Sequence, residues 1–193
     1  MPLLPIFLRL ESRPVLVVGA GTVALAKIES LHAAGASITA VAPSAVQQVQ
    51  DLASSGVLVW RQRMFEPGDL DGAFLVIAAT NDTDVNRAIY DEALLRNILC
   101  NAVDDPPNCD FYFGSVVRRG DLQIAVSTAG QSPALAQRLR REIDAQLPAD
   151  LEPWLAAVGS VRHEIRAALP AGAGRTALLH ELAHRPLCAS SAC

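Results

Sequence analysis

The sequence lacks a long apolar run and a recognisable leader segment. It opens on an apolar stretch, residues 1–8, but Arg9 and Glu11 interrupt this stretch. Neither a basic region nor a small-residue cleavage site accompanies it, as a secretory signal would require. No other run approaches the roughly 20 apolar residues of a membrane-spanning helix. We therefore expect neither a signal peptide nor a membrane span, and a cytoplasmic location.

Cysteine and lysine are both scarce. The four cysteines, Cys100, Cys109, Cys188 and Cys193, show no C-x-x-C spacing, which is typical of a reduced protein rather than of a disulfide framework. Lys27 is the only lysine, and the net charge is -4, which argues against a nucleic-acid binder. The excess of arginine suits an anionic ligand that is gripped bidentately, although codon usage alone would also produce it.

Two further kinds of catalytic site are missing. His180 and His184 frame a His-Glu-Leu-Ala-His pattern with the spacing of a zinc protease, but no third ligand is evident. We predict no metal site. Neither Tyr90 nor Tyr112 is followed four residues later by lysine, which excludes a short-chain reductase.

A glycine-rich turn organises the chain. Residues 15–18 are all apolar, and Gly19 and Gly21 follow before a helical pattern begins. In a dinucleotide-binding turn, the first glycine allows a tight turn and the second lets a pyrophosphate approach the backbone. Ala24 takes the third small position, where the helix packs closely on the strand. Dinucleotide binding is therefore predicted, with an ordinary strand-to-helix turn as the alternative.

Strands and helices alternate as far as residue 110. Predicted strands cover residues 14–18, 37–42, 57–61, 73–79 and 98–103, with helices in the first, second and fourth gaps. This pattern predicts an α/β fold, a doubly wound parallel Rossmann sheet. Residues 4–10 are expected to form an edge strand or a packed arm.

The pattern then changes to a hairpin and helices. Strands at 111–117 and 122–127 flank a turn, and Ser132 caps a helix that begins at Pro133. We predict an NAD-binding domain over 1–110, a dimerisation region over 111–147 and a small helical region over 148–193, with a tail that frays beyond Pro186.

The second strand ends without the usual partner for a cofactor ribose. Ala42, Pro43 and Ser44 stand where many NAD-binding folds place an acid. The next basic residue along the chain is Arg61, so a 2′-phosphate lacks its usual partner and NAD is favoured over NADP. Ser44 is expected either to contact the ribose or to cap the next helix. Thr80 ends the fourth strand and is expected to border the cofactor.

Two aspartates follow the fifth strand. Asp104 and Asp105 lie where a proton acceptor or metal ligand would face the crevice at the carboxyl ends of the strands. From spacing alone, a solvated loop ahead of two prolines is the simpler interpretation.

Four blocks together resemble the precorrin-2 dehydrogenase family, the dehydrogenase module of sirohaem synthase. The first joins residues 4–8 to the glycine turn and Lys27. The others are residues 78–86, residues 100–104 and residues 125–140. This resemblance implies NAD-dependent oxidation of precorrin-2 to sirohydrochlorin, a homodimer built by the hairpin and the following helix, and Asp104 as the catalytic residue.

The resemblance also implies binding residues. Cofactor contacts fall on Thr22, Val23, Pro43 and Ser44, beside Gly19, Gly21 and Thr80, and Thr128 keeps a hydroxyl where serine is common. Independently of the resemblance, arginines are expected either to anchor carboxylates of the substrate by bidentate pairs or only to solvate the surface, namely Arg118, Arg119, Arg138 and Arg141. Metal insertion into sirohydrochlorin in the same cleft is a second enzyme hypothesis. The alternative function, which is not an enzymatic one, is a non-catalytic NAD(H)-sensing domain.

Overall fold

Five parallel strands form the centre of the first half of the chain. The computed structural model describes residues 3–184, and within them the sheet has the order β3-β2-β1-β4-β5. The strands are β1 Pro14–Val18, β2 Ser37–Val41, β3 Leu58–Arg61, β4 Leu75–Ala78 and β5 Leu99–Ala102. All are parallel. The predicted doubly wound sheet is confirmed, with each strand within two residues of its predicted limits.

Helices cover both faces of this sheet, which is why its central strands are apolar throughout. Helices α1 (Thr22–Ala33) and α2 (Gln47–Ser54) supply one core, in which Ala24, Ile28 and Val49 are fully buried. Helix α3 (Thr83–Leu95) and a 3₁₀ turn at Pro67–Leu70 supply the other, around Leu70 and Ile89. Because β1 and β4 are covered on both sides, all four residues of β4 are buried.

Helix α3 begins with a side-chain cap. Asp82 is its N-cap and accepts hydrogen bonds from the backbone N–H groups of Asp84 and Val85. The cap satisfies two of the donors that a helix leaves unpaired at its start. This fixes the loop that follows β4 at the carboxyl edge of the sheet.

The segment before β1 forms no strand. Residues 3–10 have no regular structure, and Leu4, Ile6 and Phe7 are exposed. Pro5 has no N–H to donate to a sheet edge. The edge-strand prediction is therefore wrong, and only Leu10 packs into the core.

The chain divides into two compact units between Tyr112 and Phe113. The second contains an antiparallel hairpin, β6 Ser115–Arg119 and β7 Leu122–Val126, and three helices, α4 Pro133–Gln146, α5 Leu151–Ala168 and α6 Ala173–Leu182. The predicted hairpin is confirmed, although β6 begins four residues later than expected.

Two local features shape the second unit. Gly120 turns the hairpin with φ +55°, a left-handed conformation that favours glycine, and a Cβ there would lie 2.7 Å from Cγ of Glu152. Ser132 caps α4 as predicted, because its hydroxyl accepts from the Leu135 N–H. The three-part domain division stays a prediction. The expected frayed tail beyond Pro186 lies outside the described residues.

None of the helices described within residues 3–184 is long and apolar enough to cross a membrane.

Candidate dinucleotide site and its relatives

The turn after β1 can be made only with glycine at its first position. Gly19 has φ +110°, and a Cβ there would lie 2.2 Å from the backbone oxygen of Ala79. Its N–H donates to Val41 O at 2.9 Å. The loop is therefore held between the ends of β2 and β4, which brings three strand ends together around it.

Gly21 leaves open space in front of helix α1. It is the N-cap, with φ −82°, and a Cβ there would meet no atom within 4 Å. No side chain caps the helix, and no acidic residue occupies its first turn. The N–H groups of Thr22, Val23 and Ala24 thus have no partner within the helix, and Thr22 and Val23 are exposed. This cradle fits a pyrophosphate.

Ser44 does not cap the second helix. Helix α2 begins at Gln47, and its N-cap is Val46, whose N–H donates instead to Ala20 O at 3.0 Å. That bond ties the loop after β2 to the glycine turn, and α2 begins only after it. Pro43 and Ser44 are consequently exposed at the carboxyl edge of the sheet. The capping alternative is wrong, while the ribose contact stays a prediction.

Arg61 is distant from Ser44 in sequence but not in space. Strand β3 pairs with β2, so Arg61 lies opposite Val41, and its backbone oxygen accepts from the Ala42 N–H at 3.2 Å. An arginine therefore does lie beside the end of β2, contrary to the expectation from the order of residues along the chain. Counting along the chain could not show that β3 returns beside β2.

Thr80 is engaged in the local structure of its loop. Its hydroxyl lies 2.7 Å from Oδ1 of the buried Asn86, which also accepts from the Thr80 N–H. The side-chain amide of Asn86 in turn donates to Thr80 O at 3.1 Å. Asn86, which no sequence pattern marks as functional, thus fixes the strand end that is predicted to border the cofactor.

Asp104 projects from the carboxyl end of β5. It is exposed and has φ +60°, a left-handed conformation that aspartate tolerates better than most residues. Backbone bonds hold both sides of it, from Val103 N–H to Ala78 O and from Asp105 N–H to Ala102 O.

The neighbouring carboxylate is occupied. Asp105 is half-buried, and its carboxylate accepts from the Asn108 side-chain amide at 2.6 Å. The two adjacent aspartates therefore differ. One faces solvent at the carboxyl edge of the sheet, and the other builds the loop.

Lys27 adds a positive charge near Asp104. It lies half-buried on α1, and burial lowers its pKa, while the charges of Asp104 and Cys109 act in the opposite direction. A lysine that the fold keeps partly buried beside a carboxylate is a candidate functional residue. The signal for it in the sequence is that no other lysine occurs.

The predicted substrate residues all belong to the second unit. Arg118 is exposed on β6. Arg138 lies on α4, is 64% exposed and pairs with Glu142 at 3.1 Å. Thr128 is half-buried, and its hydroxyl accepts from the Ser132 N–H. Their roles toward a substrate stay predictions.

Among residues 3–184, no three histidine, cysteine, aspartate or glutamate side chains lie close enough together to hold a metal ion.

Two family models match parts of the chain. Residues 6–115 match a family described as putative NAD(P)-binding. The chain belongs to this NAD(P)-binding family. Residues 119–146 of this family member also match a family described as the central domain of a sirohaem biosynthesis protein.

Its relatives are sirohaem synthases. The chain is 45% identical over 166 residues to siroheme synthase 1 of Yersinia enterocolitica, and 46% identical over 162 residues to siroheme synthase 1 of Cronobacter sakazakii. These alignments cover 86% and 84% of this chain but only 35% and 34% of those proteins. The chain therefore spans about a third of the length of these relatives.

A solved structure superposes on nearly the whole chain. The structure of SirC, a precorrin-2 dehydrogenase, superposes with a TM-score of 0.79 and 27% identity, covering 93% of this chain and 89% of that one. The likeness thus includes the hairpin and helices of the second unit as well as the parallel sheet.

Proposed function

We propose that this NAD(P)-binding family member is a precorrin-2 dehydrogenase that oxidises precorrin-2 to sirohydrochlorin with NAD⁺. The observation that carries the proposal is that the open cradle at Gly21 and the exposed Asp104 lie at the same carboxyl edge of one parallel sheet. The likeness to SirC and to the sirohaem synthases supports the choice of substrate.

The reaction removes one hydride and one proton from the macrocycle. NAD⁺, when bound, would accept the hydride. The N–H groups at the start of α1 would hold its pyrophosphate at the carboxyl edge of the sheet. Asp104 takes the proton, since it is an exposed carboxylate at the crevice with no role in building its loop. Lys27 places a compensating positive charge nearby.

Substrate orientation is assigned to the second unit. Precorrin-2 carries many carboxylates, which arginine binds bidentately. Arg118 and Arg138 are exposed enough to make such pairs. The Thr128 hydroxyl, which accepts one backbone N–H, keeps its own hydrogen for a carboxylate oxygen.

An anaerobic turnover assay tests the proposal. Precorrin-2 and NAD⁺ are mixed with the purified chain, and absorbance follows sirohydrochlorin and NADH. Many turnovers per chain are expected. Binding of NAD(H) without turnover would contradict the proposal and favour the sensing domain. Adding Co²⁺ or Fe²⁺ afterwards shows whether the same cleft also inserts a metal.

NADP⁺ is expected to be the poorer substrate. The arginine nearest the end of β2, Arg61, is already paired with Asp69 at 2.7 Å, so a 2′-phosphate must compete with a carboxylate for it. Steady-state kinetics with both cofactors measure kcat/KM for each. An equal or higher value with NADP⁺ would contradict this expectation.

A homodimer is also part of the proposal. The second unit exposes apolar side chains, among them Leu135, Val161 and Leu178, and the hairpin's strands have no other strand as partner within the described residues. A second copy would cover the sheet edges and the apolar face of α4.

Light scattering at micromolar concentration is expected to give the mass of a dimer. Leu135→Arg places a charge on the exposed face of α4 and should shift the mass toward a monomer. Leu94→Arg is the control, because Leu94 is exposed on α3 in the first unit. A monomeric wild-type chain would overturn the dimer.

We also place the protein in the cytoplasm. The described cysteines, Cys100 and Cys109, are both free thiols, as a reducing compartment would keep them.

A further inference from the structure

We propose that the Arg61–Asp69 pair sets the preference between NAD⁺ and NADP⁺, with Arg61 at the 2′ position of the adenosine ribose and Asp69 restraining it. The inference rests on the proposed NAD⁺-dependent function. No acid follows β2 to bind the ribose hydroxyls, so other residues must contact the adenosine ribose.

The sheet places Arg61 at this position. Parallel sheets bind cofactors outside the carboxyl ends of their strands, and the ribose lies beyond the second strand. Arg61 is the last residue of β3 and the register partner of Val41, the last residue of β2. The Trp60 indole N–H also donates to Ala42 O at 3.0 Å, which fixes the end of β3 against the loop that carries Pro43 and Ser44.

Side-chain alternation directs Arg61 toward the 3₁₀ turn. Leu58 and Trp60 pack on the sheet face covered by α1 and α2, so Arg61 lies on the other face. Leu70 of the turn packs on that face with Val41, and Asp69 precedes it. The Asp69 side chain is 1% exposed, whereas that of Arg61 is 46% exposed. The pair therefore has a buried, fixed carboxylate and a guanidinium that reaches solvent.

Arg61 and Arg63 are not equivalent partners of this carboxylate. Arg63 binds both oxygens of Asp69, at 2.8 and 2.6 Å, and donates to Met64 O as well. Arg61 donates to Asp69 through one nitrogen only, at 2.7 Å. Arg63 is committed to the loop, and Arg61 has donors left for a ligand.

The buried carboxylate opposes a phosphate at neutral pH. The arginine hydrogen bonds hold the pKa of Asp69 down to about 2, so its negative charge persists. A 2′-phosphate is attracted by Arg61 but repelled by Asp69, which also competes for the same guanidinium. The hydroxyl of NAD⁺ meets neither effect strongly, because it carries no charge.

Binding constants for NAD⁺ and NADP⁺, measured by calorimetry on the purified chain, test the inference. Arg61→Ala should weaken NADP⁺ binding about tenfold, the value of a charged hydrogen bond, and change NAD⁺ binding by less than about twofold. Asp69→Asn should strengthen NADP⁺ binding by a similar factor, and Arg61→Ala in the same chain should remove that gain.

Arg96→Ala is the matched control. Arg96 also pairs with two carboxylates, Glu92 and Asp71, but it lies before β5, at the amino edge of the sheet. Its substitution should leave both constants unchanged.

Three results would overturn the inference: an unchanged ratio of the two constants in Arg61→Ala, an equal change in Arg96→Ala, or a gain in Asp69→Asn that survives loss of Arg61. If Asp69→Asn does not fold, the binding constants of Arg61→Ala alone test the inference. This variant should fold, because the Arg61 side chain is half exposed. A wild-type chain that binds neither cofactor would instead overturn the proposed function, and this inference with it.

Discussion

Replacing Asp104 by alanine is expected to lower kcat for precorrin-2 oxidation by about 10²-fold or more, the usual contribution of a general base. The fold and NAD⁺ affinity should be retained, because the Asp104 side chain is exposed. Within residues 3–184, its carboxylate accepts no hydrogen bond that would be lost. Stopped-flow or steady-state absorbance gives kcat, and calorimetry gives the binding constant for NAD⁺.

Backbone strain must be separated from loss of the carboxylate. Asp104 has φ +60°, a conformation that alanine adopts less readily than aspartate or asparagine. Asp104→Asn keeps the preference for this conformation and removes only the charge. An equal loss of kcat in both variants therefore assigns the effect to the carboxylate.

Asp105 provides the adjacent control. Its carboxylate accepts from Asn108, and its backbone oxygen lies 3.3 Å from the Cys109 thiol. Asp105→Ala should lower the free energy of unfolding by about 1 kcal/mol, the usual value of a hydrogen bond, with little change in kcat. If the Asp104 and Asp105 variants lose the same activity, Asp104 is only a loop residue.

Gly21→Asp is expected to abolish NAD⁺ binding without unfolding the protein. The new carboxylate would stand in the open space before α1, where the pyrophosphate is placed. At about 4 Å, two like charges near a protein surface repel by about 4 kcal/mol, which is roughly a thousandfold in affinity. Calorimetry with NAD⁺ measures the loss.

The same substitution should leave thermal stability unchanged or slightly raised. Gly21 is the N-cap of α1 with φ −82°, and aspartate is a better N-cap than glycine by a few tenths of a kcal/mol. Gly21→Ala separates the effect of the charge from that of the Cβ, because its methyl group meets no protein atom within 4 Å and brings no charge, so it should weaken NAD⁺ binding less than Gly21→Asp does. Wild-type affinity in a folded Gly21→Asp chain would show that the cofactor lies elsewhere.

The sheet and its turn could be predicted because their signals are local. Residues 15–18 are apolar because β1 is covered on both faces, and Gly19 is required because the loop passes within contact distance of Ala79. Asp82 caps α3 through its own side chain, so the start of that helix is visible in the sequence. The hairpin followed from two apolar runs around Gly120 for the same reason.

The features that could not be predicted depend on contacts distant in sequence. Ser44 is a plausible N-cap by sequence. The Val46 N–H donates to Ala20 O, however, and α2 begins only after this bond. Arg61 became relevant only through the pairing of β3 with β2, and its partner Asp69 lies on a 3₁₀ turn that no periodicity indicates. The proximity of Lys27 to Asp104 likewise joins α1 to the end of β5.

We propose that this chain transfers a hydride from precorrin-2 to NAD⁺, and a single-turnover experiment tests that transfer. The chain is mixed anaerobically with precorrin-2 and a limiting amount of NAD⁺, and both products are quantified. One sirohydrochlorin is expected for each NADH, at a rate that is lost in Gly21→Asp and strongly reduced in Asp104→Ala. Sirohydrochlorin formed without NADH, or NAD⁺ bound and left unreduced, would contradict it.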